Sequence, residues 1–333
     1  MSCVPQSRSG FLIGGRTVNR NSESFSSFRD GLKLCLQYRQ HRRQRDVSDT
    51  AQQRVRQISD SLTRAERQLA DVMLENYPMS GLGSITRLAE KAGVSTPTVA
   101  RMVQKLGFSG FAEFQSALRD ELEAQVSNPI AKRDRWSQSA PQEHLLNRFT
   151  DAVMSNIRQT LAHVKPDEFD AVSRLLADEN RALFIAGGRI THALSEYLHL
   201  HMQVVRKGVH HIRSTSNAWP HALLDLEPDD VVLIYDIRRY ENSTLKLAEI
   251  AAERGAVTVL VTDQWQSPIA RHARYTFEAR IEVPSAWDST VSMMLLTETL
   301  IAAVQDLRWE ATRDRMDQLE AIFDSTRIFR KFV

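Results

Sequence analysis

The chain has 333 residues, 42% of them hydrophobic, with 43 Lys and Arg against 41 Asp and Glu for a formal net charge of +2. That is enough apolar material for two cores at about 100–200 residues per domain, and too little net charge to argue for nucleic acid by itself. Cys3 and Cys35, the two cysteines, give neither a disulfide framework nor zinc spacing, and no apolar run reaches the roughly 18 residues of a bilayer span; together these fit a cytoplasmic chain with no membrane partner.

Residues 1–60 carry 11 Lys or Arg against 5 Asp or Glu, clustered around Arg39, Arg42, Arg43 and Arg45. Polar, Ser- and Arg-rich stretches rarely bury enough surface to fold, so residues 1–50 read as a disordered extension or a start codon placed too early; a basic arm on DNA phosphates is the alternative. The run 61–76 then sets Leu62, Ala65, Leu69, Val72 and Met73 on one helical stripe, with Thr63 and Glu66 spaced as a capping box. Ser84 opens a short helix whose Leu88, Ala89 and Ala92 face inward, Gly93 supplies a tight turn, and Ser95 starts a second helix with Pro97 in its first turn. Val99, Met102, Val103 and Leu106 recur at helical spacing toward the core, and residues 95–108 contain no acid. This is a helix-turn-helix. Its outer face predicts contacts to a double-stranded DNA operator from Ser84, Thr86, Ser95, Thr96, Thr98, Arg101 and Lys105: hydroxyls near helix starts for phosphates or base edges, cations for phosphates or guanine.

The phrases SLTRAERQLADVMLEN and ITRLAEKAGVSTPTVARMVQKLGFSGFAEF resemble the N-terminal domain of the RpiR family of bacterial transcription regulators. The resemblance implies a C-terminal sugar isomerase (SIS) domain, so the remainder of the chain is a test of it. Residues 51–126 read as the all-α DNA-binding domain, 127–141 as a Pro- and Ser-containing linker, and 142–333 as a second domain. Two amphipathic helices, 143–164 and 166–180, lead into RALFIAGG, DDVVLIYD and AVTVLVTD, short apolar runs separated by the helical stretches 195–205 and 244–254. That alternation predicts an α/β fold, a parallel sheet covered on both faces, with ligands at the carboxyl ends of the strands.

Residues 181–306 resemble the SIS domain and imply a flavodoxin-like sandwich, but two loops depart from the family. The family's Gly-x-Gly-x-Ser loop aligns with Ala186, Gly187, Gly188, Arg189 and Ile190, and its Ser-x-Ser-Gly-x-Thr phosphate loop aligns with Asp236, Ile237, Arg238, Arg239, Tyr240 and Glu241. Small hydroxyls and a glycine form a phosphate nest that two guanidiniums and a carboxylate do not reproduce. Either Arg238 or Arg239 holds a small anionic effector, or the two belong to an internal ion-pair network. The effector set expected from the alignment is Gly187, Gly188, Arg189, Asp236, Arg238, Arg239, Ser243 and Thr244.

His192, Glu196 and His199 share a helical face, but lack a zincin pattern and read as ordinary polar residues; His210 and His211 point to opposite faces of a strand. Trp287 and Asp288 lie in the loop before the helix 289–307, where they rim a pocket or simply pack. No metal, cofactor or catalytic residue is expected. A sensing regulator, not an enzyme, is the favoured function, with a sugar-phosphate isomerase bearing an accessory helical domain as the alternative, since isomerisation needs an acid–base pair that the altered loops do not offer. The apolar faces at 143–164 and 289–307 predict a homodimer or homotetramer.

Overall fold

A computed structural model of the protein describes residues 49–126, 129–130, 132–133, 144–213, 217 and 219–329. The expected basic extension falls outside these residues except at Asp49 and Thr50. Thr50 caps the first helix, α1 (Ala51–Gln57), in a reciprocal capping box with Gln53. Thr63 and Glu66 form a second such box at the start of α2 (Arg64–Glu75). The helix-turn-helix follows as α3 (Ile85–Ala92) and α4 (Thr96–Lys105), and α5 (Phe111–Val126) closes the domain. Gly93 ends α3 at φ 62°, left-handed backbone that glycine adopts without steric cost. Leu69, Met73, Leu88, Val99, Met102, Val103, Phe114 and Leu118 form the buried core of these helices.

The second domain begins with α6 (Leu145–His163) and α7 (Pro166–Ala177). Then come β1 (Leu183–Gly187), α8 (His192–Val205), β2 (Val209–Ile212), β3 (Val231–Asp236), α9 (Asn242–Glu253), β4 (Val257–Asp263) and β5 (Tyr275–Ala279). Two helices finish the described chain, α10 (Val291–Leu307) and α11 (Trp309–Thr326). The five strands are all parallel, in the order β2-β1-β3-β4-β5. Every residue of β1, β3 and β4 is buried, because helices cover both faces of the sheet. Alternate residues feed the two faces: Leu183 and Ile185 join Leu198, Val259 and Leu296, while Phe184 and Ala186 join Leu247 and Ala251.

Chain order reverses between β1 and β3, and a crevice opens there beyond the carboxyl ends of both strands. Gly187 fits this corner because a Cβ would stand 2.6 Å from the Thr191 carbonyl oxygen, so only glycine lets α8 start so soon after β1. Among the described residues no helix is long and apolar enough to cross a membrane.

The helical domain packs on the carboxyl end of the same sheet, and residues 50–333 form one unit. Gln52 donates to Gln266 at 3.1 Å, Gln53 to Glu278 at 2.5 Å, and Arg280 to Gln53 at 2.7 Å. Arg56 reaches both Gln266 and Glu278. Ala124, near the end of α5, is buried in the apolar cluster of the α/β domain. The stretch expected as linker contributes more than a tether: residues 129, 130, 132 and 133 are helical and Lys132 is buried.

Candidate functional site

Ser84 accepts the Arg87 backbone N–H at 3.2 Å and so caps α3 as its position requires. Ser95 sits at the start of α4 without a side-chain cap; its hydroxyl pairs instead with Thr98 at 2.9 Å, and Arg101 donates to Thr98 at 3.4 Å. Ser84, Thr86, Ser95 and Arg101 are exposed, whereas Thr96 and Thr98 are half-buried. Lys105 differs from the rest. Its ammonium donates to the Ser61 carbonyl at 2.8 Å and pairs with Glu66 at 3.1 Å, so it fastens α4 to the capping box of α2. Glu66 is held below the usual carboxylate range first by the Thr63 backbone N–H and then, against a desolvation cost, by Lys105.

The crevice between β1 and β3 is a cavity of about 950 Å3 walled by Gly188, Arg189, Asp236, Arg238 and Arg239, with Trp287 and Asp288 on its far side. Gly187, Ser243 and Thr244 are not part of that wall. Thr244 is fully buried and its hydroxyl donates back to the Glu241 carbonyl at 2.8 Å, a local bond within the first turn of α9, which corrects its expected effector role. Lys132, Glu241 and Thr191 line the cavity and were not in the expected set. Thr191 carries the first loop's only inward hydroxyl, accepting the Gly188 N–H and donating to the Tyr235 carbonyl, both at 2.8 Å. It lies one position after the family's serine, so a one-residue shift was the available signal; Lys132 had none.

The loop after β3 carries one residue in left-handed backbone. Arg239, aligned with the family's glycine, has φ 63°. Its neighbours are bound to the chain's own carboxylates. The Arg238 N–H donates to Asp263 at 2.7 Å, the Glu241 N–H to Asp236, and the Arg189 N–H to the Glu241 carboxylate at 2.6 Å. Arg238 is the centre of an ion-pair network. Its side chain, 7% exposed, pairs with Asp288 at 3.0 Å and Glu282 at 3.3 Å and stacks over the Trp265 ring at 4.4 Å. It also donates to the Ala124 carbonyl at 2.7 Å, on α5 of the helical domain. Lys132 pairs with the other oxygen of Asp288 at 2.5 Å. Arg238 therefore belongs to the network alternative, while Arg239 is exposed at the cavity wall.

Burial dominates the electrostatics of this floor. It pushes Asp236 up to about 7 against the lowering bonds from Ser267 and the Glu241 N–H, and it pushes Asp263 up to about 6. Beyond the cavity, His192 and His199 stack on His211 with ring centroids 4.8 and 5.2 Å apart. Burial, followed by the charges of His192 and His199, holds His211 down to about 4. Face-to-face rings do not converge their nitrogens on one point, and among the described residues no group of His, Cys, Asp or Glu has metal-holding geometry. His210 faces the other way and stacks on Phe184, as alternation along a strand requires.

A helix-turn-helix domain joined to a parallel α/β domain with its crevice at the switch point defines the class. The model of the rpiR-family helix-turn-helix domain matches residues 50–125 and that of the SIS domain residues 175–303. The chain thus joins an rpiR-family helix-turn-helix domain to a SIS domain. It is 25% identical over 249 residues to the HTH-type transcriptional regulator RpiR of Escherichia coli K12, covering 72% of this chain and 81% of that protein. HexR, another HTH-type transcriptional regulator of that organism, is 21% identical over 278 residues, 79% of this chain and 91% of HexR. Among solved structures, the sugar isomerase domain of an RpiR transcription factor from Sphaerobacter thermophilus is 21% identical and aligns with 53% of this chain and 97% of its own, at a TM-score of 0.48.

The raised carboxyl of Asp236 gives a stability signature. An acid whose folded pKa exceeds its unfolded value stabilises the fold below about 4, and that contribution is lost as pH rises through about 7. Asp236→Asn removes the slope, so the melting temperature of the variant relative to the parent is expected to rise between pH 5 and pH 8. A constant difference across that range would show that Asp236 is ionised throughout.

Proposed function

We propose that this protein is a ligand-responsive transcription regulator that reads operator DNA with α4 and senses a small anionic molecule in the crevice between β1 and β3. The observation that carries the reading is the bond from Arg238 to Ala124: a side chain from the cavity wall holds the last helix of the DNA-binding domain. A ligand changes an equilibrium only through differential affinity for its two states, and a group that touches both sites supplies that difference directly. Among the proposed DNA contacts, Arg101 is the exposed cation on α4, Ser84, Thr86, Ser95, Thr96 and Thr98 are the hydroxyls around it, and Lys105 sets the helix position through Glu66. An isomerase would require a paired acid and base free to reach a substrate; Asp288 is clamped between Lys132 and Arg238, and Glu241 is engaged by the Arg189 N–H.

Two variants divide the reading into its parts when DNA is selected from a random duplex pool with the purified parent. Arg101→Ala is expected to weaken the selected duplex by about 1–3 kcal/mol and to relax preference at one base position. Arg238→Ala is expected to select the same half-site with affinity altered about threefold or more, because the recognition helix is intact and its attachment is not. Selection of no sequence by the parent, or parent-like binding by both variants, would contradict the proposal.

A further inference from the structure

The cavity wall carries two opposed sets of charge, and together they specify how a ligand is held. On the floor, three backbone N–H groups of the loops after β1 and β3 have a carboxylate of the chain on them: Asp263 on Arg238, Asp236 on Glu241, and Glu241 on Arg189. Asp236 also accepts the Ser267 hydroxyl at 2.5 Å, and the Glu241 carboxylate lies 2.8 Å from where a Cβ on Gly188 would stand. A phosphate placed there would have to displace three carboxyl groups already hydrogen-bonded to these N–H groups. The anion seat is already filled.

On the rim the situation is reversed. Arg189 and Arg239 line the cavity and are exposed, and their guanidiniums make no hydrogen bond or ion pair among the described residues. Arg239 also stands at φ 63°, left-handed backbone that an L side chain adopts only against strain. Strain of this kind persists only where the surrounding structure over-determines it. Carbon also lines the cavity: Ile190, Ile237 and the Trp287 ring.

We infer that the cavity binds an organic anion in which the charged group is gripped at the mouth by Arg239 and Arg189 while a carbon body fills the space toward Ile237 and Trp287. This rests on reading the α/β domain as the sensor. The guanidinium fork accepts a carboxylate or a phosphate monoester alike, since both present two coplanar oxygens. What it does not accept is the reverse orientation, with the phosphate inward on the β3 loop.

The test is thermal unfolding of the full-length protein with three probes at millimolar concentration: phenylacetate and phenyl phosphate, which share a body and differ in head group, and glucose 6-phosphate, whose body is polar. At least one aryl anion is expected to raise Tm by about 2 °C or more, which of the two does so identifying the head group, and glucose 6-phosphate to have no effect. Arg239→Gly is expected to melt no lower than the parent, because glycine relieves the left-handed strain, and to lose the aryl shift. Stabilisation of the parent by glucose 6-phosphate, absence of any shift with both aryl anions, or a lower Tm for the unliganded variant would each overturn the inference. None of these readouts involves DNA, so a failure here is separate from a failure of operator binding.

Discussion

A buried guanidinium cannot shed its charge, and the arrangement of this molecule around Arg238 follows from that constraint. The side chain emerges from the loop at the end of β3, and burial obliges it to find partners in every direction: Asp288 and Glu282 for its charge, Trp265 for its face, the Ala124 carbonyl for a remaining donor. Those partners come from three separated parts of the chain. The segment between β5 and α10, the loop after β4 and the last helix of the DNA-binding domain are thus drawn to one point. Lys132 completes the charge balance on Asp288 from a stretch that would otherwise be a tether. Removing Arg238 would leave the Asp288 pair unbalanced and uncover a helix-end carbonyl at once.

The second constraint is the sheet. A parallel order in which β1 lies between β2 and β3 leaves a crevice where the crossovers diverge, and the loops after β1 and β3 form its walls. The same edge receives α1 of the helical domain through Gln52, Gln53 and Arg56. Cavity and DNA-binding domain therefore share one end of the sheet. A change in the loop after β3 has a path to α5 only one hydrogen bond long.

Much of this was legible because it is local. Apolar runs ending in Gly or Asp marked β1, β3 and β4, and the cap, turn and proline of residues 84–97 marked the helix-turn-helix. Arg239, aligned with the glycine of the phosphate loop, stands in left-handed backbone, the conformation that glycine adopts most readily. What escaped was non-local. β5 was missed because YTFEA, at the sheet edge, is only partly buried and carries a glutamate; the bonds of Arg238 to Ala124 and of Gln53 to Glu278 join positions 114 and 225 residues apart, and no periodicity encodes such pairs. The bonds that engage Lys105 and Thr244, to the Ser61 and Glu241 carbonyls, appear only in the folded chain.

The account depends on Arg238 physically holding the end of α5, and amide hydrogen exchange of the intact protein measures that directly. Comparing the parent with Arg238→Ala, the account predicts faster exchange over residues 118–126 and over α1, with β3 and β4 unchanged, because the attachment opens while the sheet stays closed. Unchanged exchange in α5 and α1 would show that Arg238 does not bear the attachment, and the link from cavity to DNA-binding domain would have to be abandoned.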